Sequence, residues 1–386
     1  MKLYTLTNIF NFSGINLLII FAAFTGQEKF AAELGIIIGC SFFFTQIFSS
    51  NSRNILIINF TNKAYSEKIF LRIKLSLILY FLINFFNYYY FKDFLSEALL
   101  ISLIIVLQWI NELYLLKIFR EKKFLKIKLY LFFNIFFYLT LFLAFFSEKT
   151  ESLNLYIVLF ALVNILYLLT GFLKGKYSEI FQINSTLNIF ITDLYNFSFY
   201  SSSSMVFINF LTRIIILEFL SKELCGVLFA CIAIGSIPGS IFNNSFGPYL
   251  IKNKINLFSK NYFYLFIFLF FASIYAFYFQ NLYINELVKG DSFKYNSLYF
   301  SYMGSYLMII ALYFRQVLLF KNKIKLKKIF LIDVINSLVY LIIVLSVCYL
   351  NIKILFSLIF LIFSIFNFSM FCLYFYIDKY IEKTNK

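Results

Sequence analysis

Apolar runs about twenty residues long follow one another along almost the whole chain, separated by short polar stretches in which lysine is concentrated. A helix rises about 1.5 Å per residue, so a run of roughly 20 matches the roughly 30 Å hydrocarbon core of a bilayer. Of the 386 residues, 62% are hydrophobic and 23% aromatic, against about half apolar in a soluble domain. A water-soluble fold is excluded, and the fold class predicted is all-α integral membrane. Length here counts helices, not soluble domains.

Other features narrow the chemistry. Histidine is absent, which removes His-based triads, HExxH zinc sites and imidazole proton relays. Cys40, Cys225, Cys231, Cys348 and Cys372 stand singly in apolar runs without metal-ligand or CxxC spacing, so neither disulfides nor a metal site are expected. Phe, Tyr, Ile, Asn and Lys are abundant while Pro, Gly and Arg are scarce, a bias that an AT-rich genome produces, so the aromatic excess carries little functional weight. The apolar run after Lys2 is read as a first span and not as a signal peptide, because similar runs follow it and nothing downstream resembles a mature soluble protein.

Reading the runs between charged punctuation places spans near 8–25, 32–50, 73–91, 96–116, 129–146 and 153–173, and again near 196–219, 223–245, 261–280, 297–320, 329–349 and 353–376. Lys and Arg test this count, because they concentrate in cytoplasmic loops. With both termini inside, the cytoplasmic segments hold 25 of the 34 basic residues, the opposite loops hold 7, and Arg213 and Arg315 fall within spans. The net charge of +16 is therefore mostly a topological signal, with attraction to anionic membrane lipids as a secondary effect, and no nucleic acid is needed to explain it.

Six spans precede the polar stretch around Lys174 to Asn188 and six follow it. The division expected is an N-terminal six-helix bundle at 1–176, a cytoplasmic linker at 177–195 and a C-terminal six-helix bundle at 196–386. The segment AELGIIIGCSFFFTQIFSSNSRN from Ala32 can be laid on ELCGVLFACIAIGSIPGSIFNNS from Glu223, which puts Gly35 on Gly226 and Cys40 on Cys231. Two pseudo-symmetric halves around a cavity are a common plan of secondary transporters. Gly35 with Gly39, Gly171 with Gly175 and Gly235 with Gly239 have the spacing that lets helices approach closely. Pro238 and Gly239 in the eighth span, with Pro248 just beyond, mark that helix as the one to kink, whether as a static bend or as a gating element.

Charged groups in hydrocarbon are costly, so those that remain usually face a cavity or a partner. Arg213 shares a helical stripe with Ser198, Ser202 and Asn209 in the seventh span; Gln46, Ser49 and Arg53 recur in the same way in the second; Arg315 shares a face with Ser297, Ser301 and Gly304 in the tenth. Only five of the basic residues are arginine, yet both basic residues within spans are. A guanidinium fork grips phosphate oxygens bidentately, whereas lysine offers a point charge. The plainer alternative is that Arg315 reaches the headgroups and Arg213 pairs with Glu218. Glu112, in the fourth span, either pairs with Lys117 or Arg120 or offsets an interior arginine and carries a coupling ion or proton. Asp333, one turn past Lys328, reads as half of a surface ion pair.

The two six-helix halves, SSNSRN closing the second span, TRIIILEFLSKELCGVLFA joining the seventh to the eighth and SIPGSIFNNSFGPYL ending the eighth together resemble the O-antigen and polysaccharide flippases of the multidrug/oligosaccharidyl-lipid/polysaccharide exporter superfamily. The resemblance implies a V-shaped pair of bundles in the cell inner membrane that opens alternately to each side. It implies a non-enzymatic transporter of polysaccharide or lipopolysaccharide biosynthesis, whose cargo is a polyprenyl-diphosphate-linked oligosaccharide and whose partners are a polysaccharide polymerase and glycosyltransferases. On this reading Arg53, Arg213 and Arg315 engage the diphosphate at different depths while Gln46, Ser49, Ser202 and Asn209 face the sugar, with coupling to a proton or sodium gradient and no cofactor. Two rivals stand beside it. A multidrug or cation exporter of the same superfamily is expected to rely on buried carboxylates, and a polytopic sugar polymerase or ligase on long outer loops; the longest outer loop here, about 281–296, offers only Glu286 and Asp291.

Overall fold

The computed structural model describes residues 14–49, 60–90, 95–146, 153–172, 197–241, 326–350 and 365–377, with Leu6, Thr7, Phe10, Asn11, Leu56 and Ile362. Among these residues the chain is helical and contains no strand. The helices are α1 (Asn16–Phe24), α2 (Glu28–Ser49), α3 (Asn62–Tyr90), α4 (Leu95–Arg120), α5 (Phe124–Phe146), α6 (Leu153–Phe172), α7 (Phe197–Phe219), α8 (Lys222–Ile241) and α9 (Leu326–Tyr349). A shorter apolar helix, α10, covers Ile365–Ile377. The spans expected near 261–280 and 297–320, the linker at 177–195, and Arg53, Pro248 and Arg315 lie outside the described residues.

Tight corners set the antiparallel order. Between α1 and α2, Gly26 takes φ +80°, a left-handed conformation that costs glycine little. The Gln27 N–H then donates to the Ala22 carbonyl at 2.9 Å and the Gly26 N–H to Ala23 at 3.3 Å, which closes the helix end. The α4–α5 corner repeats the motif with a lysine: Lys122 has φ 55°, and the Lys123 N–H donates to the Ile118 carbonyl at 3.1 Å. Only Leu220 and Ser221 separate α7 from α8, and the Ser221 hydroxyl accepts from the Leu224 N–H at 3.4 Å as an N-cap.

Five of these helices, α2, α3, α4, α5 and α9, are long and apolar enough to cross a bilayer. Their surfaces are arranged for lipid. On α3 the outward residues Leu77, Phe81, Phe85 and Tyr89 are exposed, as are Leu125, Leu129, Phe132 and Phe136 on α5 and Leu331, Ile335, Leu338 and Ile342 on α9. Inside, Asn111, Asn134 and Asn164 are fully buried. Large apolar residues outside and carboxamides within invert the distribution of a soluble protein. The chain is a multi-pass membrane protein.

Helix α3 begins well before the expected boundary at residue 73. It starts at Asn62, where the Thr61 hydroxyl accepts from the Ala64 N–H at 3.1 Å. Its 29 residues make it about 43 Å long, more than a bilayer core requires. The extension draws Arg72 out of the loop assigned to it and into the bundle, where it is 2% exposed. Asp333 departs from expectation too, since it is buried on α9 and does not sit at the surface.

Two helices organise the packing. Helix α4 touches α2, α3, α5 and α6, and α2 passes from that group into contact with both α7 and α8, while α9 packs on α7. Lys29 pairs with Glu223 at 3.2 Å and Lys222 with Glu33 at 3.1 Å, crossing between the first two turns of α2 and the first turn of α8. Farther along both helices Gly35 lies against the Phe229 ring, so α2 and α8 run parallel. Phe43 stacks on Phe210 with centroids 5.5 Å apart while Arg213, farther along α7, reaches Gly35 nearer the start of α2, so α7 runs antiparallel to α2.

The glycines at this seam divide the work. Gly35 leaves room for Phe229 and Gly39 for the Arg213 side chain, so this pair provides sockets for side chains; the direct backbone approach occurs at Gly226, where an added Cβ would lie 1.9 Å from the Glu28 carbonyl oxygen. Backbone cannot yield as a flexible side chain does. Gly226→Ala is therefore expected to destabilise the protein by about 1–3 kcal/mol through forced separation of α2 and α8. The sole tryptophan, buried Trp109, supplies a fluorescence readout of thermal unfolding in detergent, and an unchanged melting midpoint would show that the seam is looser than described.

Candidate functional site

Helix α4 carries the sequence Leu107-Gln108-Trp109-Ile110-Asn111-Glu112 at its middle. Residues three or four apart share a helical face, so Trp109 with Glu112 and Gln108 with Asn111 form two adjoining polar faces. Each meets a different set of neighbours.

Toward α2 and α3, Arg72 meets Glu112. Its Nη1 donates to Glu112 Oε2 at 2.7 Å and to the Trp109 carbonyl oxygen. The guanidinium lies over the Trp109 ring, 4.9 Å from the centroid. The indole N–H donates to Ser49 Oγ at 2.6 Å, and the Ser49 hydroxyl donates to the Thr45 carbonyl at 2.8 Å. Ser49 and Glu112, both singled out in the sequence, are thus joined through two residues that were not, Arg72 and Trp109. Lys117 and Arg120, the expected partners of Glu112, stand instead over the rings of Tyr65 and Phe60, at 5.0 and 5.6 Å. A signal existed in the sequence, since a carboxylate at mid-span demands a counter-charge; Arg72 was hidden by standing between Lys68 and Lys74 in what reads as a basic loop.

Toward α5 and α6 the network is uncharged. The Tyr130 hydroxyl donates to Asn11 Oδ1 at 2.6 Å and lies 3.3 Å from Asn164 Oδ1. Asn111 Nδ2 donates to Asn164 Oδ1 at 3.1 Å, and Gln108 Nε2 lies 3.4 Å from the Tyr138 hydroxyl. Asn11, Asn111, Tyr130, Asn134 and Asn164 are each at most 2% exposed. Asparagine is frequent throughout this chain, so nothing in the spacing distinguished these residues from the rest.

Arg213 occupies a third place, about 21 Å along α2 from Ser49 at the usual helical rise. It leaves α7 half-buried, and its Nη1 donates to the Gly35 carbonyl at 2.5 Å. The guanidinium stands 5.7 Å from the centroid of Phe229 on α8 and fits beside Gly39. Glu218, its suggested partner, is exposed, and among the described residues no carboxylate lies within ion-pair distance of Arg213. On the same helix Asn209 is exposed, and on α2 Gln46 is half-buried. Ser202 and Gly239 lie within α7 and α8, and α8 remains helical through Pro238 to Ile241. The structure therefore connects Ser49 with Glu112 and sets Arg213 apart from both.

Among the described residues no group of three or more His, Cys, Asp or Glu side chains is placed to hold a metal, and the five cysteines form no disulfide. No family model matches the chain, and no curated protein or solved structure matches it significantly.

Both members of the Arg72–Glu112 pair are at most 8% exposed. Glu112→Gln and Arg72→Met are each expected to cost roughly 3–5 kcal/mol, because either change leaves a charge buried without its partner. The double variant Arg72→Met with Glu112→Leu removes both charges and should recover most of the loss. Melting midpoints of the three variants, followed by Trp109 fluorescence, check this; single variants as stable as the parent would mean that the pair is solvated.

Proposed function

We propose that the chain is a carrier that moves a polyprenyl-diphosphate-linked oligosaccharide from the cytoplasmic to the outer leaflet of the cell inner membrane by alternating access. One observation carries this reading. Arg213 presents a guanidinium at the seam where α2 meets α7 and α8, without a carboxylate partner among the described residues. A cation held in an apolar protein by one backbone carbonyl and one aromatic face retains the capacity to grip an anion. Diphosphate oxygens suit the planar fork, and the bond to Gly35 is the one that they would replace.

The seam itself adds support. Two segments that align across the chain, around Gly35 and around Gly226, pack side by side and parallel. That arrangement is the one expected of two related bundles about an axis normal to the membrane. Rocking about α2 and α8 would change the distance between Arg213 and the Gly35 carbonyl, exposing the guanidinium in one state and occupying it in the other. Arg53 and Arg315 would extend the same chemistry to other depths, Gln46, Ser202 and Asn209 would offer hydrogen bonds to sugar, and Pro238 with Gly239 would be the place for α8 to bend during gating. Ser49 has a second role as an anchor for Trp109. The cation-exporter alternative draws less support, because the carboxylate it would use, Glu112, is already paired with Arg72.

Arg213→Ala is expected to reduce export of the glycan about ten- to hundredfold at matched membrane levels of protein, the range for losing a charged hydrogen bond. Arg213→Lys should restore only part of it, since the charge returns without the fork. Surface glycan measured in cells, together with movement of a lipid-linked oligosaccharide in proteoliposomes, reads the effect; a fully active alanine variant would remove Arg213 from the transport path.

A further inference from the structure

Two short corners meet at one end of the seam. Thr25, Gly26 and Gln27 join α1 to α2, and Leu220 and Ser221 join α7 to α8. With both termini inside, as the distribution of Lys and Arg predicts, both corners lie on the outer face. The charges that follow them are crossed: Lys29 of α2 meets Glu223 of α8 at 3.2 Å, and Lys222 of α8 meets Glu33 of α2 at 3.1 Å. Each helix thus gives the other one cation and one anion. Turning α8 by one residue, about 100°, sets Glu223 against Glu33 in one sense and Lys222 against Lys29 in the other. Like charges so close repel. The crossed pairs therefore favour the rotation that presents Gly226 to the Glu28 backbone and Phe229 to Gly35.

Access to water separates these pairs from the one between α3 and α4. The side chains of Lys29 and Glu223 are 70% and 51% exposed and that of Lys222 is 56% exposed, against at most 8% for Arg72 and Glu112. Exposed pairs hold weakly and are screened by salt. Such a joint can part and re-form, where a buried pair cannot do so without stranding a charge. Its position matters as well. From the outer face inward, α2 meets α7 and α8 at Lys29, Glu33, Gly35, Gly39 and Phe43, and at Ser49 it turns to Trp109 of α4. Glu33 stands two residues before Gly35, whose carbonyl accepts from Arg213. Parting the first turns of α2 and α8 would therefore reach Arg213 next.

We propose that Lys29–Glu223 and Lys222–Glu33 form a reversible clasp, which holds the outer ends of the α1–α2 and α7–α8 hairpins together and, by parting, opens the seam toward Arg213 from outside. The clasp deepens the carrier reading by naming what regulates outward access to that guanidinium, and it rests on that reading only for its purpose. The separation of the hairpins is measured without cargo. A clasp that fails and a carrier that fails are therefore separate results: hairpins that part on demand while Arg213→Ala exports at full rate keep the clasp and remove the carrier.

The test places spin labels on Phe24→Cys and Phe219→Cys, exposed positions beside the two corners, in the full chain with the exposed Cys372 replaced by serine. The distance between the labels is read by pulsed electron spin resonance in lipid nanodiscs. Raising salt from about 0.01 to about 1 M cuts the screening length about tenfold and should add a population at longer distance. With Lys29→Glu and Lys222→Glu all four groups are acidic, so the longer distance should dominate at low salt and recede at high salt, the opposite response. Exchanging all four charges, Lys29→Glu, Glu33→Lys, Lys222→Glu and Glu223→Lys, restores both attractions and should return the original distances and the original response to salt. Distances that neither salt nor the acidic variant changes mean surface charges only and overturn the clasp. A lengthening in the acidic variant that salt does not reverse overturns it too, because that is loosening of the fold and not repulsion. Should the acidic variant fail to fold, the salt response of the labelled chain with its own four charges decides the matter alone.

Discussion

A polar side chain within hydrocarbon has no water to turn to, so each one must find its partner inside the protein. That constraint accounts for most of what this structure does with its sequence. Helix α4 is the most enclosed of the five candidate spans, and it is the helix that carries both an ionic pair and, on the adjoining face, a carboxamide network. The lipid-facing helices α3, α5 and α9 keep leucine, isoleucine and phenylalanine outward and send single polar residues inward: Arg72 from α3, Tyr130 and Asn134 from α5, Asp333 from α9. The outer surface needs only to be apolar. The interior needs matched partners.

Helix α2 shows how one element serves two demands. Near its start Gly35 and Gly39 form sockets that accept Phe229 and Arg213 from α8 and α7. At its end Ser49 accepts from Trp109 and so steadies the ring over which Arg72 lies. Between these points the hydroxyls of Ser41 and Thr45 turn back to carbonyls one turn earlier, at 2.8 Å each, and ask nothing of neighbouring helices. A displacement of α2 against α7 and α8 would therefore be felt at the Arg72–Glu112 pair through Trp109. The two charged places are some 21 Å apart along the helix, yet they share one rigid connector.

The two arginines illustrate different uses of the same group. Arg72 is deeply buried and matched by a carboxylate, a backbone carbonyl and an aromatic face, an arrangement that holds α3 to α4. Arg213 is only half-buried and is met by one carbonyl and one ring. A buried ion pair contributes modestly to stability, because desolvation offsets most of its attraction, while breaking it is expensive. The first arrangement suits a fixed joint, the second a grip that can exchange partners.

By itself the sequence determined the class of fold and, among the described residues, the position of most helices and the corners between them. These follow from run length, from the hydrocarbon thickness and from turn residues such as Gly26 and Ser221, all of which act over a few neighbours. Tertiary structure decided the rest. That Glu112 answers to Arg72 and not to Lys117, that Gly226 and not Gly35 carries the backbone approach, and that four asparagines surround Tyr130 depends on pairings between residues far apart in the chain, 189 positions in the case of Lys222 and Glu33. Periodicity tells which face of a helix is apolar; it does not tell which polar residue waits on the facing helix, because that is settled by rotation and depth, and these only packing supplies.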